Sequence, residues 1–240
     1  MRSYRSVVAL ALLLLAILTF TGFVQAQTAS TQSAILGAHN VGPTQAKDEQ
    51  ATAFARELRA QLSGQVSTSS SYSSYTKVSD DLGQITMEIP TVWRDIDMGP
   101  WLYQGKEVGM LLAASADLQN FYTTKSEPGV FIGVSHQLAQ MYDPESLLNL
   151  EKGVFSKKCK PKERKDYQDL FYTGRYDTYI ECVKGNHNLL VAVATTPDRR
   201  VLILLRITVV SDADLEAAAR IFQTFQSPGA PQSDDDHDEH

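Results

Sequence analysis

The sequence is poor in several features that mark particular protein classes. Its 240 residues contain only two cysteines, two tryptophans and 9% aromatic side chains. A disulfide-dense miniprotein and a multi-cysteine metal array are therefore excluded. Positive charge is also in deficit, with 22 basic against 28 acidic residues, which argues against a nucleic-acid-binding protein. The length and the 43% hydrophobic content suit one globular domain with additional segments.

Long hydrophobic runs are scarce as well, and the longest extends from Val7 to Phe20. Arg2 and Arg5 precede it, and this arrangement predicts a secretory signal peptide over residues 1–26, cleaved after Ala26. The run is shorter than the ~20 residues that a membrane-spanning helix needs, so an N-terminal membrane anchor is the alternative. The mature chain is predicted to be secreted or extracytoplasmic, with no transmembrane segment.

Composition divides the rest of the chain into three parts. Residues 27–75 are rich in Ser, Thr, Gln, Ala and Gly and are predicted to be a low-complexity linker. A possible helix at 45–63 would carry its apolar residues on one face and dock marginally on the domain or on a partner. Residues 76–227 are predicted to form the globular domain, and the acidic residues 228–240 a disordered tail. The apolar face of the possible helix consists of Ala51, Phe54, Leu58 and Leu62.

The pattern of apolar residues in the domain predicts an antiparallel sheet. Leu189–Thr195 and Val201–Val209 are apolar on both faces, so they are predicted to pair as a hairpin at the sheet centre, covered by helices on both sides. Ser211 and Asp214 form a capping-box pattern that marks the start of the last helix. The predicted fold class is therefore an α/β/α sandwich of the α+β type.

The two cysteines, Cys159 and Cys182, are predicted to form a structural disulfide, because lone cysteine pairs in exported proteins usually bond. A reactive thiol, the alternative, would need a C-x-x-C motif or an activating base, and neither is visible in the sequence. Alternation over Asp169–Val183 predicts a long strand whose core-facing side carries Leu170, Tyr172, Tyr176, Ile180 and Cys182.

A dense basic segment lies close to the first cysteine. Such a cluster in an acidic protein is a candidate anion-binding site, and the alternative is a solvated loop fastened by Cys159. The candidate anion-binding residues are Lys157, Lys158, Lys160, Lys162, Arg164 and Lys165.

Trp93, Trp101 and Tyr103 lie near Gly99-Pro100 in a stretch without periodicity. Trp93 is predicted to pack in the core. Trp101 and Tyr103 are predicted to lie in a loop, where they would form an exposed aromatic surface for a ligand.

No assembled catalytic set is recognisable in the sequence. Ser135 and His136 are adjacent, so on a strand their side chains point to opposite faces and cannot act as nucleophile and base. Asp95 and Asp97 lack a surrounding calcium-binding loop pattern. We therefore predict no catalytic residue, no metal site and no cofactor.

The segment Ile89-Pro90-Thr91-Val92-Trp93 resembles the PsbP-like fold. Further segments resemble uncharacterised bacterial extracytoplasmic domains, some of which are attached to trypsin-like serine proteases. This resemblance implies an exported accessory role and carries over no catalytic residue. The resembling segments are Trp93 to Trp101, Pro128 to Gly133, Tyr142 to Leu148, and Tyr172 to Asp177 leading to Cys182.

The function predicted on these grounds is an exported, non-catalytic binding or accessory module of the bacterial cell envelope or exterior. Its partner would be an unknown protein or an anionic envelope polymer. A secreted hydrolase with an unrecognised site and a structural adaptor for another envelope protein are the alternatives.

Overall fold

The computed structural model describes residues 43–62, 71–124, 126–182 and 187–227. The predicted signal peptide and the predicted acidic tail lie outside these residues. The helices within them are α1 (Pro43–Leu62), α2 (Leu118–Thr123), α3 (His136–Met141), α4 (Pro144–Phe155) and α5 (Asp212–Thr224). The strands are β1 (Tyr75–Ser79), β2 (Thr86–Pro90), β3 (Asp95–Tyr103), β4 (Lys106–Ser115), β5 (Gly129–Ser135), β6 (Lys160–Gln168), β7 (Thr173–Cys182), β8 (His187–Thr195) and β9 (Leu202–Val209).

Seven strands form one antiparallel sheet in the order β3-β4-β5-β9-β8-β7-β6. The predicted central hairpin is β8 and β9, which pair from Asn188 with Val209 to Thr195 with Leu202. Every residue of β8 is buried, and so is every residue of β9 except the partly buried Arg206. Strands that are apolar on both faces require a covering layer on each side.

The first covering layer consists of α1, α5 and the separate β1–β2 hairpin. Leu58 and Leu62 of α1 are fully buried, and the ring of Phe54 lies 5.2 Å from that of Tyr176 and 4.3 Å from that of Phe222. The possible helix predicted at 45–63 is present as α1, and its predicted apolar face docks on the domain. Residues 43–62 therefore belong to the core, although they lie within the segment 27–75 that was predicted to be a low-complexity linker. Most residues of α1 are polar, so its composition resembles that of a linker. The helix is nevertheless stable, because one narrow apolar face packs against the rest of the fold.

The second covering layer consists of α2, α3 and α4. Leu138 of α3 and Leu147 and Leu148 of α4 are fully buried against the apolar residues of the central strands, including Val191 and Leu204. With helices on both faces of an antiparallel sheet, the predicted α/β/α sandwich is confirmed.

The helix starts follow from the capping residues of the sequence. Asp143 precedes Pro144 and accepts a hydrogen bond from the Ser146 amide at 2.7 Å at the start of α4. At the start of α5, the Ser211 amide donates to Asp214 at 2.8 Å, as the capping-box pattern predicts.

Strand β7 differs from its prediction in one respect that matters for the disulfide. It begins at Thr173 rather than Asp169, and its pairing with β8 shifts register between Tyr179 and Cys182. Glu181 has a positive φ of 52° at this bulge. A bulge reverses the alternation of side chains, so Cys182 packs under α4 and not with Tyr176 under α1. The predicted common face is wrong at this residue.

Candidate functional site

The predicted disulfide is confirmed. Cys159, in the turn after α4, is bonded to Cys182 at the end of β7, and their Cα atoms are 4.0 Å apart. Both residues are buried. The bond therefore fastens the basic segment that begins at the end of α4 to the sheet, and it is of the kind found in oxidising compartments.

Replacing both cysteines with alanine is expected to lower the free energy of unfolding by about 3 kcal/mol, because the bond closes a loop with a sequence separation of 23 residues. Urea unfolding of the wild type and of the double variant measures the difference. Reductant should weaken the wild type and leave the double variant unchanged. A wild type that is insensitive to reductant would show that the thiols are free.

The predicted basic loop is an edge strand for most of its length. Lys160–Gln168 is β6, which pairs with β7 and has no strand on its other side within the described sheet. Arg164 of this strand donates to Asp177 from Nε at 2.6 Å and from Nη2 at 2.8 Å, and its Nη1 donates to Asn149 of α4 at 2.6 Å. Asp177 is buried and raises the pKa of Arg164 through these hydrogen bonds.

Lys165 is also engaged inside the fold. Its Nζ donates to Glu57 of α1 at 2.5 Å and lies 3.7 Å from Glu163. The hydrogen bond with Glu57 raises the pKa of Lys165. Arg164 and Lys165 therefore hold β6 to the two helix layers, and their charges are already paired with Asp177 and Glu57.

The remaining four cations of the predicted cluster are exposed, and a fifth joins them from the last turn of α4. We call these residues the lysine patch. Residues 152–162 contain no acidic residue. Among the described acids, Glu181 lies within 4 Å of a patch residue, 3.8 Å from Lys160. The lysine patch consists of Lys152, Lys157, Lys158, Lys160 and Lys162.

The predicted exposed aromatic surface is wrong for Trp101. Its stretch of the chain is strand β3 rather than a loop, and Trp101 is only 3% exposed. The indole lies over Gly133 of β5, where a Cβ atom would come within 2.6 Å of the ring. Its ring centroid is 6.0 Å from that of Phe131. Trp101 is therefore part of the floor beneath the second helix layer; Trp93 is buried in the first layer, as predicted.

Tyr103 is partly exposed, and it belongs to a group that the sequence did not reveal. Its ring centroid lies 6.3 Å from that of Tyr142, which follows α3. Burial raises the pKa of Tyr103, Tyr142 and Glu151 raise it further, and Arg206 lowers it. The exposed Tyr122 of α2 donates to Asp97 at 3.2 Å. Desolvation and the nearby Asp97 raise the pKa of Tyr122, and Arg206 lowers it in part. We call Tyr103, Tyr122, Tyr142, Glu151 and Arg206 the tyrosine–arginine cluster.

Arg206 occupies the centre of this cluster on the middle strand of the sheet. Its Nε and Nη2 lie 2.8 and 2.6 Å from Oε2 of Glu151, which is buried in α4. The guanidinium carbon lies 5.0 Å from the ring centroid of Phe131 and 5.6 Å from that of Phe155. Such stacking orients the planar group. Arg206 is the single charged residue in the apolar run 201–209. This feature of the sequence could have indicated the site.

The two residue pairs that the sequence analysis rejected, one as a catalytic pair and one as a calcium site, make structural contacts. Ser135 is buried, donates to the Val108 carbonyl and accepts from the Leu138 amide at 2.8 Å as the N-cap of α3. His136 is exposed, with Nδ1 2.8 Å from the Arg200 carbonyl. Asp95 accepts from the Leu118 amide at 2.9 Å.

A cavity of about 220 Å³ lies between α1, α5 and the turn after β6. Lys47 lines it, and burial lowers the pKa of this lysine. Its Nζ donates to the Phe225 carbonyl at 2.8 Å. Tyr167 lines the same cavity and donates to Asp169 at 2.6 Å. These contacts hold α1 against the end of α5, and the lysine amine is already engaged by the backbone.

Within the ranges that the structure describes, no three His, Cys, Asp or Glu side chains are grouped closely enough to hold a metal ion. None of the helices described is both long enough and apolar enough to cross a membrane.

The chain was compared with known proteins in three ways. No family model matches it, and no curated protein does. Among solved structures, it is similar to the solution structure of cyanobacterial PsbP (CyanoP) from Synechocystis sp. PCC 6803. That likeness has 12% sequence identity and a TM-score of 0.41, and it covers 64% of this chain and 92% of that one. It carries no argument about function, and the resemblance to protease-linked domains stays a prediction.

Proposed function

We propose that the chain is an exported, non-catalytic binding module that holds an anionic envelope polymer on the lysine patch. The observation that supports this most is that five exposed lysines fall within residues 152–162, a segment without acidic residues, in a chain whose net charge is −6. A local patch of opposite sign attracts a polyanion even when the rest of the protein repels it.

The surroundings of the patch favour this function because they fix its geometry. The disulfide fastens the turn that bears Lys157 and Lys158, and Arg164 ties β6 to α4 through Asn149. A surface that is already ordered loses little conformational entropy when it binds. The carbonyl end of α4 also favours cations nearby, which offsets part of the repulsion among the lysines.

A structural explanation of the same lysines makes a different prediction. Strand β6 is an edge, and lysine and proline on an edge strand block pairing with another chain. If Lys160, Pro161 and Lys162 serve only this purpose, removing charge there would cause self-association without any loss of polymer binding. The experiment below distinguishes the two explanations.

Replacing Lys157, Lys158 and Lys162 with serine is expected to weaken binding to linear polyphosphate and to polygalacturonate about 100-fold at low salt. This estimate takes about 1 kcal/mol for each lysine near an anionic surface. Binding of the wild type should fall as salt rises, since the charges are exposed. Titration calorimetry at two salt concentrations measures both effects.

The matched control removes three exposed cations from other parts of the chain, Lys77, Arg94 and Lys106. It should bind both polymers nearly as well as the wild type. Both triple variants should keep the wild-type melting temperature, because exposed charges contribute little to stability. If both triple variants lost the same amount of polymer affinity, the effect would be one of net charge. Failure of the wild type to bind either polymer would reject the proposed function.

A further inference from the structure

Helix α4 carries apolar side chains on its exposed surface. Leu150 and Val154 are 45% and 58% exposed, and residues four positions apart are neighbours on the surface of a helix. Gly153 lies beside them, and no atom of another described element comes within 4 Å of a Cβ atom placed on it. Single exposed apolar residues are common on proteins. Two neighbours on an uncovered side of one helix form a candidate docking surface.

Two residues of the lysine patch continue this surface past the end of the helix. The Cys159 amide donates to the Phe155 carbonyl at 2.8 Å. This bond has the spacing of an α-helix, so helical geometry extends through the turn after α4. Lys158 therefore lies one turn beyond Val154, and Lys157 is next to it; both lysines are exposed. We call Leu150, Val154, Lys157 and Lys158 the amphipathic stripe.

The acidic residues of α4 leave the positive charge of the amphipathic stripe in place. Glu151 is buried, and its Oε2 lies 2.6 Å from Nη2 of Arg206. Glu145, at the other end of the helix, lies 3.0 Å from Nη1 of Arg175. Both carboxylates are therefore already paired with arginines. The disulfide of Cys159 also fastens the turn that bears the two lysines to the sheet.

A lipid bilayer with anionic headgroups satisfies both parts of the amphipathic stripe. Its headgroup layer attracts lysines, and the boundary beneath the headgroups accepts apolar side chains. A water-soluble polyanion would pair with the lysines but would leave Leu150 and Val154 in water. We propose that the amphipathic stripe docks the protein on an anionic lipid bilayer, with Leu150 and Val154 inserted beneath the headgroups. This partner is additional to the polymer of the proposed function and shares Lys157 and Lys158 with it.

The test measures co-sedimentation of residues 27–240, the predicted mature chain, with lipid vesicles. Vesicles of mixed phosphatidylglycerol and phosphatidylcholine bind the wild type about tenfold more tightly than vesicles of phosphatidylcholine alone. The double variant Leu150→Ser/Val154→Ser loses about tenfold in affinity for the anionic vesicles and still binds polyphosphate as the wild type does. The matched control is Leu82→Ser/Val92→Ser, which removes apolar side chains that are 66% and 47% exposed and leaves vesicle binding unchanged.

Insertion into the bilayer is measured with the variant Leu150→Trp. The native Trp93 and Trp101 are 1% and 3% exposed, so the change in fluorescence on binding comes from the introduced side chain. Its emission shifts to shorter wavelength with anionic vesicles and is quenched by lipids that carry bromine on their acyl chains. Vesicle binding without this quenching would show that the lysines alone contact the headgroups, and it would overturn the proposal.

The outcomes also separate this proposal from the proposed function. The Lys157/Lys158/Lys162 serine variant loses affinity for the anionic vesicles and for polyphosphate. A wild type that binds polyphosphate but no vesicles overturns the bilayer proposal alone, and the reverse result overturns the proposed function alone. If Leu150 and Val154 instead cover a second copy of the chain, their serine variant changes from dimer to monomer and keeps its affinity for vesicles. That result also overturns the bilayer proposal.

Discussion

Replacing Leu58 with alanine is expected to lower the free energy of unfolding by about 3 kcal/mol, a typical cost for removing a fully buried leucine from a packed core. Leu58 has no solvent exposure and belongs to the core between α1, α5 and the sheet. Urea unfolding followed by circular dichroism measures the change. Leu82→Ala is the matched control, because Leu82 is 66% exposed and its loss should cost less than about 0.5 kcal/mol.

Deleting residues 27–62 should have a larger effect than any single substitution. The deletion exposes the apolar residues of α5 and the sheet that α1 covers, including Phe222 and Tyr176, and it removes the Glu57 partner of Lys165. We expect the truncated chain to lose cooperative unfolding. A truncated chain with the wild-type unfolding midpoint would show that α1 is dispensable and that the linker prediction was correct.

The centre of the fold was predictable because its signals are local. Residues 189–194 are apolar at every position, and residues 201–209 are apolar except at Arg206 and Thr208. Such runs require burial on both faces, and the residues between the two segments suit a turn. The start of α5 was predictable from Ser211 and Asp214 because a capping box is contained in four residues. The apolar face of α1 was visible in the same way, but whether it docks depends on α5, far away in the sequence.

The two edges of the sheet were not predictable from their own residues. Strand β3 has a solvent-facing side and contains Gly99 and Pro100, and most positions of β6 are exposed. Neither shows an apolar alternation. Each becomes a strand because a neighbouring strand offers hydrogen bonds, and that neighbour's register is a tertiary property.

The candidate sites likewise include features that the local sequence predicts and features that depend on tertiary structure. The count of two cysteines was enough to predict the disulfide, and a run of lysines was enough to locate most of the lysine patch. The pairing of Lys165 with Glu57 and of Arg206 with Glu151 joins residues 108 and 55 positions apart. No local sequence pattern indicates such pairs. The sequence therefore could not distinguish basic residues that form ion pairs within the fold from basic residues that are exposed to solvent.

Replacing Asp177 with alanine is expected to destabilise the protein by about 4 kcal/mol, since removing one member of a buried ion pair leaves the other uncompensated. Asp177 accepts two hydrogen bonds from Arg164 and one from the Tyr179 hydroxyl at 3.0 Å. Asp166→Ala provides the matched control. Asp166 is paired with Arg175 at 2.9 Å on the same two strands, but its side chain is 82% exposed, so its loss should cost about 0.5 kcal/mol.

A second substitution shows whether the cost of Asp177→Ala comes from the stranded guanidinium. In the Asp177→Ala background, Arg164→Met removes the uncompensated charge and keeps much of the aliphatic packing. The double variant should therefore recover a large part of the lost stability, as replacement of buried pairs by apolar groups commonly does. If the losses of unfolding free energy caused by Asp177→Ala and Arg164→Met simply added in the double variant, the stranded guanidinium would not be the cause of the Asp177→Ala effect. The hydrogen bond from Tyr179 and the packing of β7 against α4 would then account for the effect.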